Sequence, residues 1–267
     1  MMLIVIGLTF QPAISTYAEC PDNISSYWKL DETAGPTYAD FISGKDGTGT
    51  ANVTAATGIV KGAQAFNGAD TQINVPADRS FDWYVDESFS IEVWLKRDAT
   101  ISGVEVAVGR NDTPMQWWVG LNAAGKASFV LIDGGGTTGI LIGVGDDIAD
   151  GNWHHVVAVR DGVNDKILLY VDGEEKGSSD VNYTAGFDST SSALNIGWLN
   201  LNPFYYFGGA LDEIALYDRA LDPVNDIQAH YNAGWNDGKG IDSSRPAPVA
   251  DAGDDLSDVK EGTTMVT

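Results

Sequence analysis

The sequence predicts an all-β fold, either two packed antiparallel sheets or a closed barrel, with one short helix near its end. The first observation is that short runs of alternating apolar residues, separated by Gly, Asn, Asp and Ser, fill most of the 267-residue chain from Tyr27 to Tyr217. The second is LYVDGEEKG, which sets Asp172 and Gly173 between two strand-like runs, the commonest hairpin signal. The third is that helix signals gather in a single place. There Asp222 supplies an N-cap oxygen, Pro223 fits the first helical position, Ile227 and Tyr231 share a face, and Gly234 ends the helix.

The strands follow from alternation. In SFSIEVWLKR, Phe89, Ile91, Val93 and Leu95 lie on one face and Glu92 and Trp94 on the other, so the aliphatic row belongs to the core. Further strands are predicted over 104–108, 116–121, 127–132, 153–160, 166–171, 193–196 and 209–217. Within 116–121, Trp117 and Trp118 put one indole on each face, so one of them points away from the core.

A content of 43% hydrophobic and 10% aromatic residues supplies a sizeable core, in one all-β domain or two smaller ones. With 38 acidic against 15 basic residues the net charge is −23, a field that repels nucleic-acid phosphates and anionic membranes. It favours cations, Ca²⁺ above all, and equally serves solubility or adaptation to salt. Residues 1–18 read as a secretory signal peptide with an apolar run from Leu3 to Phe10, placing the protein outside the cell or on its surface. No other stretch approaches the ~20 apolar residues of a membrane span. Cys20 is the single cysteine, which excludes an internal disulfide, and sequons at Asn23, Asn52, Asn111 and Asn182 fit a secreted surface.

Two of the three histidines are adjacent in GNWHHVVAVRDG. On a strand, His154 and His155 point to opposite faces, so they cannot converge on one ion. A shared metal would need i, i+2 spacing on a strand or i, i+4 on a helix. His230 stands in the helical stretch with no Cys or His beside it. The pair is therefore read as framework, one ring packed and one near solvent.

Taken in order, SYWKLDETAG, YADFISGKDGTG, KGAQAFNGADTQINVP, SFSIEVWLKR, GNWHHVVAVRDG, ILLYVDGEEKG and GGALDEIALYDRALDPVNDIQAHYNAG resemble the laminin G-like domains of the concanavalin A-like lectin/glucanase superfamily. The resemblance spans 26–234 and implies a two-sheet antiparallel jelly-roll β-sandwich, domain limits of 24–235, and a first strand pairing near the last. After a Ser- and Pro-bearing linker at 236–247, PAPVADAGDD and VKEGTTMVT in 248–267 resemble the opening of a polycystic-kidney-disease-type immunoglobulin-like domain. That implies the front of a longer, multidomain protein.

The fold hosts lectins, glycanases, adhesion modules and spacers, so function must be read from sites. Glycanases of the superfamily carry Glu-x-Asp-x-x-Glu on one strand, to hold two carboxylates about 5 Å apart across the scissile bond. The sequence lacks that run, and neither Asp212-Glu213 nor the acids at 172–175 replace it. A GxSxG elbow is also missing, which points away from an enzyme. For metal, the resemblance implicates Asp70 in FNGAD and Asp212 in GALDE as Ca²⁺ ligands, with Asp40 as a third carboxylate and the Gly68 carbonyl completing the shell. Such loops offer the oxygens Ca²⁺ requires. The competing reading is that Asp212 caps backbone amides and Asp70 turns a loop.

For ligand binding, IGWLNLNPFYYFGG crowds Trp198, Phe204, Tyr205 and Tyr206 into a loop that also carries Asn200 and Asn202. Aromatic faces stack on sugar C–H faces while Asn and Asp bind hydroxyls. Trp198 and Tyr205, with Asn200, Asn202 and the outward indole of Trp118, form the expected glycan site. The sequence thus points to a non-catalytic, monomeric carbohydrate-binding domain whose partner is a polysaccharide. The alternative is an adhesion or spacer module contacting cell-surface proteins.

Overall fold

The computed structural model describes residues 23–50, 52–97, 103–201 and 205–241. The segment read as a signal peptide, Cys20, Asn202, Phe204 and the tail from 242 onward lie outside them. Six strands precede the first long one: β1 (Ile24–Trp28), β2 (Thr37–Tyr38), β3 (Gly47–Gly49), β4 (Thr54–Thr57), β5 (Gly62–Asn67) and β6 (Ile73–Val75). The central strands are β7 (Phe89–Arg97), β8 (Glu105–Asp112), β9 (Met115–Leu121), β10 (Lys126–Ile132) and β11 (Thr138–Asp147). The last five are β12 (His154–Asp161), β13 (Lys166–Val171), β14 (Glu174–Asp180), β15 (Leu194–Ile196) and β16 (Gly208–Tyr217). A wide π-type turn, Pro223–Gln228, leads into helix α1 (Ala229–Asp237).

These strands make two antiparallel sheets that pack as a jelly-roll sandwich. One runs β14-β13-β12-β7-β16-β5-β4, with β1 also paired to β16, and the other runs β11-β10-β9-β8-β15-β6-β3-β2. The first strand does pair with the last, Tyr27 opposite Ala215 and Trp28 opposite Ile214. The aliphatic row of β7 enters the space between the sheets with Trp28, Trp117, Val119, Phe129, Leu131 and Val156. Each such buried side chain contributes about 1.5–3 kcal/mol, so this inter-sheet layer is the main source of stability.

The other row of β7, Glu92 and Trp94, faces outward but not into water, because the π-type turn and α1 lie over it. Tyr231 stacks on Trp94 with ring centres 5.8 Å apart, and Tyr27, Val157, Tyr217 and Ile227 form a second apolar cluster beneath. Asp222 caps this segment as expected, accepting from the N–H groups of Val224 (2.9 Å) and Asn225 (2.7 Å).

The expected end at Gly234 is corrected: the helix continues to Asp237 and closes at Gly238, whose φ of 58° is left-handed. Gly234 is instead a contact residue, since a Cβ there would stand 2.6 Å from the Trp94 ring. Its lack of a side chain is what lets the helix approach the sheet.

Candidate functional site

The histidines diverge as strand alternation requires. His154 pairs with Asp172 (2.8 Å) and Asp150 (3.2 Å) near the surface. His155 is buried and lies 2.6 Å from Glu92. The structure adds what the sequence spacing hides: His230, brought over by α1, approaches the same carboxylate at 3.0 Å, and the Tyr217 hydroxyl donates to it at 2.7 Å. Burial works to raise the Glu92 pKa, but the charge of His230 and hydrogen bonds from both imidazoles outweigh it and hold the carboxyl far below its ordinary range. Burial likewise works against a charged His230, yet Glu92 and then Asp226 lift it above the usual histidine value. All four side chains are sealed from solvent, so this cluster fastens the helix to the sheet and offers nothing to a substrate.

The three carboxylates expected to bind calcium are each committed to a different turn. Asp40 accepts from the N–H groups of Tyr27 (2.9 Å) and Ile42 (3.0 Å) through one oxygen and from Ser43 Oγ and Lys45 N through the other. Asp70 is exposed and held by the side chains of Asn67 (2.7 Å) and Asn52 (3.3 Å), in a turn where Gly68 donates its N–H to the Phe207 carbonyl. Asp212 is buried and accepts from Ile59 (2.9 Å) and Val60 (3.1 Å) at the start of β5, whereas Asp70 follows its end. Burial and then the Glu213 charge push the Asp212 carboxyl up to about 9, so it is protonated at neutral pH. Among the described residues no group of three or more His, Cys, Asp or Glu is placed to hold a metal. Asp212 bonds amides ahead of β5 and Asp70 bonds asparagines beyond its end, while the second Asp212 oxygen is buried without a hydrogen-bond partner.

The described flanks of the aromatic loop, 197–201 and 205–207, form an arch against the outer face of the second sheet, with Phe207 donating to the Gly197 carbonyl and Leu199 to that of Tyr205. Trp117 enters the core and Trp118 points outward, as alternation requires. Trp118 is nevertheless only 4% exposed, packed with Val106, Val130 and Leu199, so its expected role as a binding surface is corrected to one of support for the arch. Trp198 and Tyr205 are half-buried. The Trp198 indole donates to Asn74 (3.1 Å) and stacks on Tyr206 at 6.1 Å, while Asn200 is exposed.

A more open site lies elsewhere, at one end of the sandwich. Asp78 caps the 3-10 turn Arg79–Phe81 by accepting from Ser80 N–H (2.9 Å), a bond that is the first cause of its lowered pKa. Phe81 enters the core, and Trp83 stacks flat on Phe89 at 4.0 Å and donates to Asp218 (2.9 Å). Between these anchors and β7 the chain turns outward, leaving Tyr84 77% exposed. The opposite wall is the segment from 186 to 192, joined by a bond from Phe187 N–H to the Trp83 carbonyl (2.7 Å).

Arg110, buried on β8, ties the walls together. It donates to Phe81 O (2.8 Å), Asp82 (2.6 Å), Ser189 O (2.7 Å) and Ser192 O (3.0 Å). Charge-assisted bonds of this kind are the strong ones, and here they fix two loops far apart in sequence. Three concavities of about 260, 330 and 250 Å³ share Arg79, and two of them share Trp83 and Tyr84. Arg79, Asp188 and Thr190 present exposed side chains there that make no hydrogen bond or ion pair with other described residues.

A family model described as the concanavalin A-like lectin/glucanases superfamily matches residues 67–225, more than half the chain. The chain belongs to that superfamily. No curated protein sequence matches it. Among solved structures, the sandwich is similar to the binding domain of Paraclostridial Mosquitocidal Protein 1, at 18% identity and TM-score 0.63, covering 80% of this chain and 53% of that one. It is also similar to the botulinum neurotoxin serotype D binding domain, at 16% identity and TM-score 0.59, covering 79% and 52%. A third is Domain 4 of AbnA, an extracellular arabinanase from Geobacillus stearothermophilus solved with arabinotriose, at 19% identity and TM-score 0.57, covering 77% and 97%. The chain thus spans about half the length of the toxin binding domains, and at these identities the likeness concerns the fold.

Within this superfamily domain, both walls of the cleft and Arg110 fall inside the matched stretch. The cleft is not among the sites expected from the sequence. The available signal was Trp83-Tyr84 in SFDWYVDES, an aromatic pair among acids between two strands, the same criterion that singled out the arch. Among the described residues no helix is long and apolar enough to cross a membrane.

Proposed function

We propose that the chain is a non-catalytic carbohydrate-binding module of a secreted or cell-surface protein, and that it binds glycan in the cleft beside Tyr84. The observation that carries this reading is the cleft itself. An exposed tyrosine ring, a free guanidinium and a free carboxylate line one braced concavity. The ring face suits the C–H face of a sugar, and the polar pair suits its hydroxyls. The complex of the arabinanase domain with arabinotriose supports it, since a sandwich of similar fold there holds a saccharide. A toxin binding domain of similar fold supports a binding role in general.

The test is a glycan array followed by titration calorimetry on the best ligand. Tyr84→Ala is expected to weaken binding about tenfold or more while leaving the melting temperature unchanged, because the lost ring is mostly in water. The half-buried arch at Trp198 and Tyr205 is a second platform, and Trp198→Ala in the same assay measures its share. Binding to no glycan in the array would transfer the assignment to the adhesion or spacer reading.

A further inference from the structure

We infer that the cleft selects uncharged saccharides and rejects those bearing carboxylate or sulfate, an inference that rests on the carbohydrate reading above. Its basis is an inventory of the charged groups that line the three concavities and of what each is already doing. Asp82 is taken by Arg110 (2.6 Å) and by Ser189 N–H (3.0 Å). Asp218 accepts from the Trp83 indole (2.9 Å), and Glu87 accepts from Tyr84 N–H (2.7 Å). Asp78 accepts from Ser80 N–H and lies 3.6 Å from Lys45. These four acids are bonded within the walls and shape them. What remains for a ligand is Arg79, Asp188, the Thr190 hydroxyl and the Tyr84 ring.

That remainder matches a neutral sugar. Two neighbouring hydroxyls satisfy it at once, one donating to Asp188 and the other accepting from Arg79, while the ring lies on Tyr84. An anionic sugar gains Arg79 but leaves Asp188 facing a like charge, and it meets the acidic side chains of the walls as well. Discrimination of this kind comes from the repulsive elements as much as from the attractive ones. The −23 net charge of the chain adds a long-range repulsion that salt screens beyond roughly 8 Å. The selectivity within the cleft is short-range and persists in salt.

The experiment uses the full chain in calorimetry against two matched panels. One holds neutral pentose and hexose trisaccharides to hexasaccharides, arabinotriose among them, and the other holds oligogalacturonates and sulfated galactan oligosaccharides of the same lengths. The expected result is Tyr84-dependent binding of a neutral member that is unchanged between low and high NaCl, with charged members about tenfold or more weaker. Asp188→Asn, which keeps an acceptor oxygen and removes the charge, is expected to narrow that gap by improving the charged panel. Tyr84-dependent binding of a galacturonate or sulfated member as tight as the best neutral one would overturn this inference and leave the carbohydrate reading standing. Binding of neither panel, with an unaltered melting curve, would remove both.

Discussion

A carboxylate with no access to water must be compensated in place, and at Glu92 the compensation is two imidazoles and a phenol. The pH consequences have opposite signs. The Glu92 pKa is lowered on folding, so its contribution is present above the ordinary value near 4.3 and is lost as pH falls through the folded one. The His230 pKa is raised, so its contribution is full below about 6.5 and is lost as pH rises through the folded value. Asp212, pushed up to about 9, adds to the alkaline decline, because the folded chain holds a proton that the unfolded chain has released. The melting temperature is therefore expected to be highest on the acid side of neutrality and to fall toward pH ~9. Asp212→Asn keeps an oxygen for Ile59 and Val60 and should flatten that fall. A native chain whose melting temperature climbs steadily from about pH 5 to 9 would contradict these assignments.

At the level of elements, one contact seats the helix on the sheet and one brace holds the cleft. Gly234→Ala gains about 1 kcal/mol of helix propensity, but its Cβ meets the buried Trp94 ring at 2.6 Å. The net expectation is destabilisation by about 1–3 kcal/mol, read from denaturant melts, with the helix lifted from the sheet. Arg110→Met removes the brace between the cleft walls and is expected to cost about 3–5 kcal/mol and to abolish glycan binding. Full stability in that variant would show that the walls are fixed by other means.

The same contacts explain what the sequence could and could not disclose. Strands such as β7, β9 and β12 were legible because alternation is local, and Asp222 because capping is. β2 and β3 are two and three residues long with little apolar content, too short for a periodic signal. β11 escaped because glycines interrupt its alternation in TGILIGVGDD. The helix end was misplaced because Gly234 is explained only by Trp94, and the cleft was missed because Arg110 reads carbonyls 29 and 79 residues away.

On the scale of the whole molecule, the helix covers part of one sheet's outer face and the arch part of the other's. Binding is left to loops at the rim, as the fold allows. Because the expected calcium carboxylates serve separate turns, excess EDTA is expected to leave the melting temperature unchanged within about 1 °C. A fall on chelation that Ca²⁺ reverses would show a metal held by other oxygens. The most direct measurement on the central claim is an amide chemical-shift map recorded while the tightest neutral oligosaccharide is titrated in. The account predicts that the largest shifts fall in residues 78–88 and 186–190, the two walls that Arg110 joins. Largest shifts in 198–206, or no shifts in either wall, would contradict it.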